Sequence, residues 1–136
     1  MTGAALRRRL WWEARLLPLR ILGRDFAGLL RFADRPLRNV DARGLSATDI
    51  VAAVVVATRR PWMMRNRRCL RQGLLAFRAL HSAGHRPALH FGVDAAGLKG
   101  REGLVHCWIL VKGEVVLNPP EPGMTTVFIH SLSDAD

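Results

Sequence analysis

Lysine is nearly missing from this chain: only Lys99 and Lys112 are lysine, and the other basic residues are arginine. Cysteine is scarce as well. Two cysteines do not make the framework of a disulfide-stapled fold. Long apolar runs are absent; the longest, residues 50–57, is eight residues and too short to cross a bilayer. The basic start is not followed by an apolar segment with a small-residue cleavage site. Together these absences predict a cytoplasmic protein with reduced thiols and no stable membrane insertion. No zinc-finger, RRM or KH signature is present, nor a Walker-type or dinucleotide glycine pattern, so no nucleic acid and no cofactor are expected.

What is present fits one domain of 136 residues with a net charge of +10. The arginines spread along the first eighty or so residues rather than clustering, as on a general solvated surface. Residues 4–17 and 18–32 read as two amphipathic helices, with Pro18 acceptable at a first helical position. Trp11 and Trp12 are adjacent, so one helix face cannot bury both equally, and one of them is a candidate for a contact surface. A polar connection follows over residues 33–45. Ser46 to Asp49 then resembles a capping box opening a helix to about residue 60, nearly apolar all round in its middle and hence buried. Trp62, Met63 and Met64 form a short apolar link.

A further helix is expected from Asn66 as N-cap, with Leu70, Leu74, Phe77 and Leu80 at helical spacing and Gly84 as its C′ residue. After Gly84 the period changes. Residues 87–93 read as a strand, 94–103 as a glycine-containing loop, 104–111 and 114–118 as a hairpin, and 125–132 as an edge strand. Helices first and an antiparallel sheet afterwards is the α+β order.

Cys69 falls in the first turn of the expected helix, beside unsatisfied N–H groups at the positive end of the helix dipole. Arg67, Arg68 and Arg71 add positive charge, and each of these factors favours the thiolate. Taken alone, a buried structural cysteine is the ordinary reading. His106 on the strand supplies an imidazole, and a thiolate, an imidazole and an orienting polar group are the parts of a cysteine peptidase site. Asn118 is the candidate orienting group. If residues 111–113 form a three-residue loop, His106 lies opposite Asn118 with Cβ atoms about 5 Å apart; a two-residue turn pairs Cys107 with Asn118 instead. Strand alternation turns Cys107 to the face opposite His106 and predicts a nearly silent Cys107→Ala. A zinc set of Cys69, His106, Cys107 and His130 lacks any paired ligands on one element, so no metal is expected.

Arg68-Cys69-Leu70, the apolar helix to Gly84, Phe91-Gly92-Val93, Val105-His106-Cys107-Trp108-Ile109, Gly113 and Val115-Val116-Leu117-Asn118 together resemble the lasso-peptide leader peptidases, transglutaminase-like cysteine proteases. The resemblance covers roughly residues 60–120. It implies a transglutaminase/papain-like core over residues 46–136, with a catalytic-type helix packed on an antiparallel sheet. Residues 1–45 then form a helical partner-docking region within a single domain, 1–136. The resemblance further implies that Cys69 is the nucleophile, His106 the base and Asn118 the third catalytic residue. Two positions depart from the family pattern: Cys107 stands where alanine is usual, and Asn118 where aspartate is usual. The implied activity is removal of the leader from a ribosomally made precursor peptide. A separate leader-binding protein presents the substrate, and a lasso cyclase uses the freed amine. Two other readings remain: a catalytically weak or inactive peptide-binding scaffold on the same fold, and amide transfer at the same site.

Overall fold

The computed structural model describes residues 3–37, 42, 44–59, 68–94, 105–120 and 122–132. The helices come first: α1 (Gly3–Arg20), α2 (Phe26–Ala33), α3 (Ala47–Ala57) and α4 (Arg68–Ser82). The strands follow: β1 (Pro87–Asp94), β2 (Val105–Val111), β3 (Glu114–Leu117) and β4 (Met124–Ser131). They form one antiparallel sheet in the order β3-β2-β1-β4. The architecture is the expected α+β one. The expected cap Asn66, Arg67, the link Trp62 to Met64 and the glycine-containing loop 95–103 lie outside the described residues.

In α1, Leu6, Leu10, Ala14 and Leu17 are buried at helical spacing. Pro18 does not open a second helix; it lies inside α1, which continues to Arg20. There the ring removes one main-chain hydrogen bond to the preceding turn, and α1 ends two residues later. The second helix instead starts at Phe26, where the Asp25 side chain accepts from the Gly28 N–H at 2.8 Å. Glu13 shares the buried stripe of α1 and is 1 % exposed. Arg9 and Arg78 meet its carboxylate at 3.1 Å, and Arg20 at 3.7 Å. Arg78 also donates to the Arg35 carbonyl at 2.8 Å and stacks on Phe32. This charged knot ties α1 to α4 inside the core. A buried charge persists only where it is paired this fully.

The capping box of α3 forms, with Ser46 accepting from the Asp49 N–H at 3.1 Å. Ile50, Val51, Val54 and Ala57 are buried, but Val56 is 54 % exposed, so the helix is half-wrapped rather than enclosed. The central element is α4, which α1, α2 and α3 pack on one side and β1 and β2 on the other. Leu74, Leu75, Ala76, Phe77, Ala79 and Leu80 are all fully buried. Its polar Gln72 donates to Thr58 Oγ1 at 2.7 Å, and Thr58 in turn donates to the Val54 carbonyl. Gly84 ends the helix with φ +89°, a conformation that favours glycine.

The β2–β3 hairpin opens with the two-residue turn of the alternative register and then leaves it at a bulge. Val111 pairs with Glu114, leaving a two-residue turn in which Lys112 (φ 54°) and Gly113 (φ 80°) are both left-handed. A bulge then shifts the register, so that Ile109 pairs with Leu117. The strand stops there, and Asn118 does not stand in the ladder opposite His106.

Candidate active site

The first turn of α4 carries Cys69, and β2 carries His106 and Cys107. On β2 the odd-numbered side chains Cys107, Ile109 and Val111 are buried in the core beneath the helices. The even-numbered His106 and Trp108 lie on the other face, their rings stacked at 5.8 Å and 26°. His90 of β1, the cross-strand partner of Trp108, lies 5.7 Å from its ring, and burial lowers its pKa. Trp108 lies directly over Gly92: a Cβ there would stand 2.5 Å from the indole and 2.9 Å from the Thr125 carbonyl. Only glycine leaves that space.

Asn118 follows β3 with φ 53°, a left-handed conformation that asparagine tolerates better than most residues. The turn aims its main-chain carbonyl at His106 Nε2, 3.0 Å away. A carbonyl only accepts, so Nε2 carries the proton and donates. Nδ1 is then the ring nitrogen left to take a proton. The expected contact between the two residues therefore exists, but it is made by the main chain of Asn118 and not by its amide. The Asn118 Nδ2 is buried without a hydrogen-bond partner among the described residues.

Cys69 is half-buried, and its thiol is held well below the ordinary range, at about 5. The largest cause is a hydrogen bond from the Cys107 thiol. Burial opposes it, and the Cys107 main chain and the charge and hydrogen bond of the His106 ring add to it. Cys69 and His106 thus meet, as their candidate roles require. Cys107 does not stand apart from them. Strand alternation does turn it away from His106, but the face it turns to is the one α4 covers, and α4 carries Cys69. The expectation of a silent Cys107→Ala is corrected accordingly. Strand spacing alone carries no signal for this contact, which depends on α4 covering that face of the sheet.

The chemical capacity of the arrangement is nucleophilic. A thiolate sits beside an imidazole whose tautomer is set by a carbonyl, at a helix start where the first four N–H groups have no acceptor within the helix. Those N–H groups are the natural donors to an oxyanion. His130 takes no part in this cluster; its Nε2 meets Asp34 at 2.7 Å. Among the described residues no group of three or more histidine, cysteine or acidic side chains is placed to hold a metal ion.

A family model described as the transglutaminase-like superfamily matches residues 5–129. The chain belongs to that superfamily. The match begins within α1 and runs into β4. No curated protein and no solved structure matches the chain. Among the described residues no helix is long and apolar enough to cross a membrane.

Proposed function

We propose that this transglutaminase-like protein is a cysteine endopeptidase that removes the leader from a ribosomally made precursor peptide during lasso-peptide maturation in the cytoplasm. The observation that carries the reading is the Cys69 thiol at the start of α4, held as a thiolate by Cys107 and His106. The superfamily includes cysteine proteases, which supports the peptidase class. The residue pattern around Cys69, His106 and Asn118 supports the narrower assignment.

In this reaction His106 takes the Cys69 thiol proton at Nδ1, and the resulting thiolate attacks the scissile carbonyl. N–H groups of the first turn of α4 receive the oxyanion. His106 gives a proton through Nδ1 to the leaving amine and then activates the water that resolves the acyl-enzyme. The Asn118 carbonyl keeps the ring oriented through both steps. The freed amine is the substrate of a cyclase, and a separate leader-binding protein docks on the N-terminal helices.

The test is cleavage of a precursor peptide presented by its leader-binding protein, followed by mass spectrometry. Wild-type protein should release the leader, while Cys69→Ala and His106→Ala should not, with circular dichroism unchanged. Full cleavage by Cys69→Ala would remove the nucleophile assignment. Leader binding without cleavage by the wild-type protein would favour the scaffold reading. Product carrying an added amine in place of water would favour amide transfer.

A further inference from the structure

Cys69 and Cys107 are the only cysteines in the chain, they lie 38 positions apart in the numbering (107 − 69), and the fold brings them together. Their contact follows from how α4 meets the sheet. Gly73 lies four residues after Cys69, on the same face of the helix. A Cβ at Gly73 would stand 3.1 Å from Leu89 and 3.8 Å from the Cys107 Cβ. The glycine therefore lets the helix backbone settle close onto β1 and β2, with Cys107 beneath the turn that Cys69 begins. Close approach of helix and strand is what a disulfide needs, because its Cα atoms are about 4.4–6.8 Å apart.

We propose that Cys107 is the resolving thiol for Cys69: a hydroperoxide converts Cys69 to a sulfenic acid, and Cys107 closes it to an intramolecular disulfide that a dithiol reopens. In the first step the Cys69 thiolate sulfur attacks a peroxide oxygen. The S–O bond forms, the O–O bond breaks, and the alkoxide leaves, or hydroxide where the oxidant is hydrogen peroxide. Sulfur is oxidised by two electrons and the peroxide is reduced. In the second step Cys107 attacks the sulfenic sulfur. The S–S bond forms, the S–O bond breaks, and the departing hydroxide leaves as water with the Cys107 proton. Exchange with a dithiol restores both thiols and oxidises the dithiol to its own disulfide.

The arrangement has the features of a protected nucleophile. A half-buried thiolate beside an imidazole is open to peroxide, and without a neighbour its sulfenic acid proceeds to the irreversible sulfinic and sulfonic acids. Cys107 is buried at 1 % exposure, so solvent oxidants reach Cys69 first. The thiol pair stands on the contact alone. That its closure stops peptide cleavage rests on the peptidase reading.

The experiment treats the full chain with hydrogen peroxide and reads intact mass and linked tryptic peptides. The expected result is loss of two hydrogens from the monomer, a Cys69–Cys107 linked peptide, and full return on adding dithiothreitol. Cys107→Ala should instead gain two or three oxygens at Cys69 that dithiothreitol does not remove, with its fold checked by circular dichroism. Cys107→Ser is the second variant should alanine disturb the core, and the same outcome is expected. Sulfinic or sulfonic acid at Cys69 of the wild-type protein, with Cys107 still open to alkylation after unfolding, would overturn the proposal. So would disulfides found only between two chains. These readouts do not depend on peptidase activity, so the pair can fail while the peptidase reading survives, and the reverse.

Discussion

The His106 imidazole donates through Nε2 to the main-chain carbonyl of Asn118 at 3.0 Å. Here the ring is oriented by an atom that every residue type carries. What the side chain at 118 decides is whether the backbone holds its left-handed turn, φ 53°.

That distinction makes a graded series. Asn118→Gly keeps the left-handed turn and the carbonyl, and is expected to keep most of the turnover. Asn118→Asp keeps both as well and adds a charge that stabilises the imidazolium, so turnover is retained or raised. Asn118→Ala meets a cost on the order of 1 kcal/mol in that conformation and should lose several-fold. Asn118→Val, β-branched, should lose more than alanine does. None should reach the roughly hundred- to ten-thousand-fold loss expected on removing a general base, as in His106→Ala. Steady-state kinetics on a leader peptide measure the series. A glycine variant as inactive as His106→Ala would show that the side chain, not the carbonyl, does the orienting.

The acid limb of Cys69 gives a second expectation. Its pKa is lowered from 9.0 to about 5, so the thiolate predominates above that value and is lost as pH falls through it. The linked contribution to stability has the same sign: fully present above the unfolded thiol's pKa, declining below it, and gone once pH has passed through about 5. Alkylation by iodoacetamide, followed against pH, should therefore rise with a midpoint near the folded value. Cys107→Ala removes the largest lowering cause and should move that midpoint upward. A midpoint in the ordinary thiol range for the wild-type protein would contradict the site geometry.

Gly92→Ala tests the support under His106. The added Cβ would stand within 3 Å of both the Trp108 ring and the Thr125 carbonyl, and the backbone of β4 cannot swing aside as a side-chain tip can. A loss of about 1–3 kcal/mol is expected, as for overpacking in a core. Denaturant unfolding measures it. Because Trp108 carries the His106 ring on its face, activity should fall further than the loss of folded protein explains.

Much of this is legible in the sequence, and the reasons are local. Ser46, Gly84 and the spacing of Leu74, Phe77 and Leu80 act within a few residues of themselves, so helix limits follow from them. The helix-start cysteine and strand histidine are legible for the same reason. The β2–β3 register is not, because a two-residue turn and a bulge each shift it by one and only the packed sheet decides between them. Pro18 favours a first helical position, yet α1 absorbs it in its last turn at the loss of one main-chain hydrogen bond. Cys107 was placed on the correct face, but which layer covers that face is a tertiary fact. Its contact with Cys69 depends on Gly73 drawing α4 close, which no spacing along the strand encodes.

The tryptophan pair separates docking from folding. Adjacent residues on a helix were expected to leave one ring outside; in the structure Trp11 is 44 % and Trp12 55 % exposed, so neither is a core residue. The two rings meet edge to face at 4.9 Å, and the Arg15 guanidinium lies 3.6 Å over Trp11. Truncation should therefore cost little stability: about 0.5 kcal/mol for Trp12→Ala, as at ordinary surface positions, and up to about 1 kcal/mol more for Trp11→Ala through the lost cation–π contact. If α1 is the docking helix for the leader-binding protein, an exposed aromatic anchor is where binding energy concentrates. Losing the ring that contacts the partner should then cost about 2 kcal/mol or more, roughly thirtyfold in affinity. Calorimetric titration of each variant with the leader-binding protein, beside its thermal melt, measures both quantities. Unchanged affinity in both variants, with unchanged melts, would move the docking surface off this face of α1. Loss of affinity in only one would identify which of the two rings the partner covers.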